Sequence, residues 1–166
     1  MSERYAGPTV SVYDGASGWG VLSVQGSGVR FRTELCGPET LGPDVEPCPW
    51  RADAPVGTFP PEAFQHSART AHDLSEGRFG CHNSADPTKP LTCAGFLLRG
   101  AQHNLEVRVN GPDEALISDG GHELYASYRA MAVANGVDPD DPALAGCRDW
   151  RDPRWLDTAE QTTDQE

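Results

Sequence analysis

Apolar and polar positions alternate over Thr9–Tyr13 and again through "GWGVLSVQGSGVRFRTEL". That is the period of a strand with one face on a core, and Gly26-Ser27-Gly28 interrupts it as a turn would. Residues 1–35 therefore read as a small β-hairpin unit. The pattern stops at "CGPETLGPDVEPCP", residues 36–49, where four prolines and two glycines leave no regular element to expect. Residues 36–60 read as an extended connector.

At Pro61 the period changes. Proline suits a first helical turn, "EAFQHSARTAHDL" supplies helix formers, and a helix is predicted over 61–74. "SEGRFGCHNSADPTKPLTC" reads as loop, while "AGFLLRGAQHNLEVRV" opens in helical fashion and ends in an alternation that suits a strand. In "HELYASYRAMAVANG", residues 122–136, Leu124, Tyr128, Met131 and Ala132 fall at helical spacing, and Asn135-Gly136 forms a C-terminal cap. Beyond it, "DPDDPALAGCRDWRDPRW" allows one short helical turn between proline breaks, with Trp150 and Trp155 free to pack back on the domain. The tail, residues 157–166, has no apolar residue larger than alanine and is expected to be disordered. The fold class that follows is α+β: a small, loop-rich single domain over 1–156, with the hairpin unit first and two to three helices in the mainly helical stretch 61–156.

Composition narrows the function. With 13 basic against 25 acidic residues in 166, the chain carries a formal charge of -12, which opposes contact with phosphate backbones and anionic lipid, so no nucleic-acid or membrane partner is expected. Twelve of the 13 basic residues are arginine, a bias that reflects base composition and implies no mechanism. No apolar run approaches the ~20 residues of a membrane span, and "MSERYAGPTV" lacks the apolar core of a secretory signal, which suggests a cytoplasmic protein. Five cysteines are an odd number for a disulfide framework, and clustered thiols in a reducing compartment hold metal or react.

Cys48, Cys81 and Cys93 each sit where a loop meets an expected element, which is where small metal sites draw their ligands. The stretches Cys48-Pro-Trp-Arg, Cys81-His82 and Cys93-Ala-Gly, in this order, resemble an uncharacterised family of largely actinobacterial and phage proteins with a "CxxCPxR … CH … CAG" signature, the domain of unknown function 6283. The resemblance covers roughly residues 45–135. It implies a cysteine/histidine metal site and no established activity. Family members carry a further cysteine three positions before Cys48, where this chain has Val45. The fourth ligand is then Cys36, His82, a more distant histidine or solvent. Cys36 is preferred, because its connector can fold back without breaking an element, whereas adjacent Cys81 and His82 must bend around one ion.

Thiolate and imidazole ligands suit zinc, with an iron-sulfur cluster as the competing cofactor. Arg51 and Asp53 either orient a ligand from behind or pair to pin a turn, and the second role is the commoner one for charged loop residues. Cys81-His82 as nucleophile and base is a weaker reading, since neighbouring side chains usually diverge. Cys147 reads as a packed thiol. His66 and His72 are six apart, too far for a simple ligand pair, and His103 and His122 fall near element ends. Three functions remain: a structural zinc protein acting through a protein partner, a metal enzyme with an open zinc position and Asp53 or a nearby acid as base, and an iron-sulfur redox protein.

Overall fold

The computed structural model describes residues 9–14, 20–25, 30–85 and 90–147. Strands β1 (Thr9–Asp14) and β2 (Gly20–Gln25) pair antiparallel, with Thr9 opposite Gln25 and Asp14 opposite Gly20. The short β3 (Arg78–Phe79) pairs antiparallel with the other edge of β2. The Gly26-Ser27-Gly28 turn, Trp150, Trp155 and the tail lie outside the described residues. The chain following that turn does not run back along β2. Instead residues 30–32 lie beside Thr92, with the Arg32 amide donating to Thr92 O (3.0 Å) and the Thr92 amide to Arg30 O (2.8 Å).

The helices are α1 (Pro38–Leu41), α2 (Pro61–Ser67), α3 (Ala94–Arg99), α4 (Leu105–Asn110) and α5 (Tyr128–Ala134), with 3-10 turns at Ala68–Ala71, Glu114–Leu116 and Pro142–Leu144. The fold is small, α+β and loop-rich. From residue 61 on, the described residues form four short α-helices where two to three are expected, and a fifth, α1, lies in the connector. None of these helices is long and apolar enough to cross a membrane.

The differences from the sequence pattern have local causes. The connector is not free of regular structure: Pro38 starts α1, and the loop closes on itself through the Cys48 amide, which donates to Cys36 O at 2.9 Å. The helix predicted over 61–74 tightens at Ser67 into a 3-10 turn, where the Ser67 hydroxyl bonds back to Ala63 O (3.0 Å) and meets the Tyr128 hydroxyl (2.6 Å). The alternation at Leu105, Val107 and Val109 is helix, not strand. Buried Asn104 caps it by accepting from the Val107 amide at 3.0 Å and is itself held to Thr70 O (3.1 Å) and Gly77 O (2.6 Å). The helix predicted over 122–136 begins only at Tyr128, because residues 123–125 pair with the chain around Trp50. There the Ala52 amide donates to Glu123 O (2.9 Å) and the Tyr125 amide to Trp50 O (3.0 Å). Its end is where the sequence put it, at Asn135 with Gly136 at φ 97°, the left-handed position glycine fills without strain.

The core is an aromatic cluster. Trp50 is fully buried, with ring centroids 5.8 Å from Phe79, 6.4 Å from Phe96 and 5.8 Å from Tyr128. Phe79 stacks on Phe96 at 6.2 Å. The indole packs closely on α3 where two glycines leave room for it: a Cβ at Gly95 would fall 2.5 Å from Trp50 Cβ, and one at Gly100 would fall 2.4 Å from Trp50 Cη2. The Cys-Pro-Trp and Cys-Ala-Gly stretches are thus two halves of one contact. Gly95→Ala forces the indole outward and should destabilise by about 2 kcal/mol, the usual scale for overpacking a rigid core. Urea unfolding measures it, and an unchanged midpoint would mean that the core absorbs the methyl group.

Candidate metal centre

Two sulfurs are brought together by a small backbone ladder. After β3 the chain turns through residues 81–84, and residues 79–81 then pair antiparallel with residues 91–93. The Cys81 amide donates to Leu91 O at 2.7 Å and the Cys93 amide to Phe79 O at 2.9 Å. Cys93 also caps α3 as its last extended residue. The Cys-Pro-Trp corner, fixed by Trp50 on α3, sets Cys48 Sγ 3.6 Å from Cys93 Sγ. Cys36 arrives beside Cys48 through the backbone bond that closes the connector loop. Its sulfur, that of Cys81 and a ring nitrogen of His82 lie within 4.8 Å of one another. Cys36, Cys48, Cys81 and Cys93 are all free thiols with at most 2% exposure, so the centre is closed to bulk water on the sulfur side.

His82 does face the same centre, against the expectation that adjacent residues diverge. The turn at 81–84, closed by the Ser84 amide and hydroxyl on Cys81 O (3.2 and 2.7 Å), sends both side chains to one side. His82 Nδ1 is 3.8 Å from Cys36 Sγ, and Nε2 sits 3.2 Å from Glu46 O and 3.0 Å from Asn83 Nδ2. Phe59 meets the imidazole edge-on at 5.1 Å. The other histidines are elsewhere: His72 on Ala143 O (3.0 Å), His66 on Arg69 (2.9 Å), His122 at 4.0 Å from Asp53, and His103 beside Leu74, whose amide donates to His103 O (2.8 Å).

Crowding the thiols separates their acidities. Hydrogen bonds from Cys48 and Cys81, with His82 adding to them, hold the Cys36 thiol below its ordinary value. The Cys48 and Cys81 thiols are pushed up, first by their hydrogen bonds with Cys36 and then, for Cys48, by the one with Cys93, and for both by burial. Cys147 stands apart, donating to Ala68 O at 3.3 Å, and burial pushes it up to about 12. That is a packed, unreactive thiol.

Arg51 pins a turn. Its Nε and Nη2 reach Asp53 Oδ1 and Oδ2, both at 2.8 Å, and Nη1 reaches Glu39 Oε2 at 2.9 Å. Asp53 is thereby committed to an ion pair. Another arginine was not singled out from sequence: Arg32 Nε donates to Cys81 Sγ at 2.9 Å and Nη2 to Asn83 O at 2.9 Å. An isolated arginine in an alternating stretch carries no signal of this, because the contact spans 49 residues.

A family model, the family of unknown function DUF6283, matches residues 43–148. The chain belongs to this family. Within the DUF6283 match lie Cys48, Cys81, His82 and Cys93, whereas Cys36 and Arg32 precede it. No curated protein and no solved structure matches the chain.

Arg51 holds the Glu39 and Asp53 carboxyls below their ordinary values. A lowered folded-state value means that the stabilisation is complete above the unfolded pKa and is lost as pH falls through the folded one. In chelator-treated protein, the melting temperature of the wild type should fall more steeply between about pH 5 and pH 3 than that of Arg51→Met. Parallel acid limbs in the two proteins would show that the clamp adds nothing.

Proposed function

We propose that this DUF6283 protein binds one zinc ion through Cys36, Cys48, Cys81 and Cys93, and that the ion is structural. The observation that supports this reading is that four buried thiols from four separate segments gather in two sets, Cys48 with Cys93 at 3.6 Å and Cys36 with Cys81 and His82 within 4.8 Å. Bonds of ~2.3 Å in a tetrahedron set neighbouring sulfurs ~3.8 Å apart, close to the 3.6 Å between Cys48 and Cys93. An iron-sulfur cluster interposes several atoms between its cysteines and requires a wider set. With four sulfurs available the ion needs no solvent ligand, and Asp53, tied to Arg51, is poorly placed to act as a base. The metal then serves the fold: it joins the connector loop, the turn after β3 and the start of α3, so its binding energy becomes folding energy.

On this reading the protein works in a reducing, cytoplasmic setting and acts through a protein partner. The outward features that support a partner are the acidic charge and the large apolar side chains left exposed, among them Leu74, Val109 and Leu116 at 66%, 69% and 62%.

Elemental analysis of the purified chain should give one zinc per chain, and X-ray absorption at the zinc edge should show four sulfurs. A nitrogen or oxygen neighbour in that spectrum would replace Cys36 by His82 or by water and reopen the enzyme reading. A chelator should lower the melting temperature by about 10 °C, the scale expected when a tightly held ligand is removed from a domain of this size. Cys36→Ser should lose most of the zinc affinity while His82→Ala keeps it.

A further inference from the structure

In a chain with 25 acidic residues, the half-buried Arg32 has no carboxylate within ion-pair distance among the described residues. Its guanidinium is spent on a sulfur and a carbonyl. The position is built: residues 30–32 are locked to Thr92 by two backbone hydrogen bonds, one residue before Cys93, and the side chain then reaches across to Cys81. The second branch, Nη2 to Asn83 O, holds the guanidinium plane against the turn that carries Cys81 and His82. A neutral thiol is a weak acceptor, so a guanidinium aimed at 2.9 Å gains little from it and much from a thiolate.

We propose that Arg32 is a positioning residue for the metal centre, which offsets one of the excess negative charges of a four-thiolate zinc site and blunts the nucleophilicity of Cys81 by donating Nε–H to its sulfur. The inference rests on the zinc reading above. Four thiolates around a divalent ion leave two negative charges in a closed space. Cys81 is the sulfur that faces a guanidinium N–H, while Cys36 has a ring nitrogen of His82 at 3.8 Å. Cys48 and Cys93 face each other and the packed Trp50 corner. The arginine therefore guards the sulfur nearest the turn at 81–84, whose His82, Asn83 and Ser84 are only half-buried.

The test uses the full-length zinc-loaded chain and N-ethylmaleimide, with zinc release followed by a metallochromic dye and the order of thiol labelling mapped by mass spectrometry. Arg32→Gln keeps an N–H donor without the charge, and Arg32→Lys keeps the charge without the guanidinium fork. Zinc release should be about tenfold faster in Arg32→Gln, the value of one charge-assisted hydrogen bond, with Cys81 labelled first. Arg32→Lys should fall between that variant and the wild type. Either variant suffices if the other does not fold, since each should raise Cys81 labelling specifically. Zinc-loaded variants that release zinc and label in the wild-type order overturn the role of Arg32 and leave the zinc reading standing. A wild-type chain that takes up no zinc overturns both.

Discussion

The contact between Trp50 and α3 sets everything else in place. An indole with no exposure needs room against its neighbour, and Gly95 in the first turn of α3 and Gly100 just past its end provide it. Since Cys48 precedes Trp50 by two residues and Cys93 precedes Gly95 by two, docking the ring also aligns the two sulfurs at 3.6 Å. The aromatic cluster and the thiol cluster are therefore built together, with aromatic packing on one side of the Cys-Pro-Trp corner and the Cys48–Cys93 sulfur contact on the other. Pro47 and Pro49 stiffen that corner by fixing φ on both sides of Cys48, which lowers the entropy lost on bringing it to the centre.

The local part of this was legible in the sequence. Turn residues, the cap at Asn135-Gly136, the helix start at Pro61 and the three cysteine stretches all act over a few positions, and the structure keeps them. What was not legible is pairing between distant segments. Residues 122–127 have helical periodicity, but three of them are recruited to pair with the chain at Trp50, and long-range hydrogen bonds outweigh a propensity of tenths of a kcal/mol per residue. Leu105, Val107 and Val109 alternate like a strand, yet one capping side chain, Asn104, turns the stretch into helix by satisfying its free amide and anchoring it at Thr70 and Gly77.

The site was readable in the same uneven way. Cysteines advertise themselves by rarity and setting, so Cys36 and Cys81, which lie with His82 within 4.8 Å of one another, could be named as candidates. An arginine does not. Arg32 becomes visible only when the pairing of residues 30–32 with Thr92 is known, and that pairing replaced the expected return of this stretch along β2. From sequence His82 ranks behind Cys36 as a ligand because adjacent Cys81 and His82 must bend around one ion, and the tight turn at 81–84 supplies that bend.

Buried thiols alone do not require an ion, because cysteine packs as a small hydrophobe and four could fill a core like any other apolar group. Their surroundings weigh against that account here. A purely apolar cluster would be lined by carbon, and burying a guanidinium against it would cost more desolvation than a neutral sulfur returns. Arg32 instead aims an N–H at Cys81 and a ring nitrogen of His82 lies 3.8 Å from Cys36, while Cys147, a thiol that does pack as a hydrophobe, has only backbone carbonyls as hydrogen-bond partners among the described residues. The two environments differ in the donors that meet the sulfur, and a guanidinium such as that of Arg32 gains more from a thiolate than from a thiol. Were the clustered sulfurs to carry charge, a cation at their centre would relieve their mutual repulsion most directly.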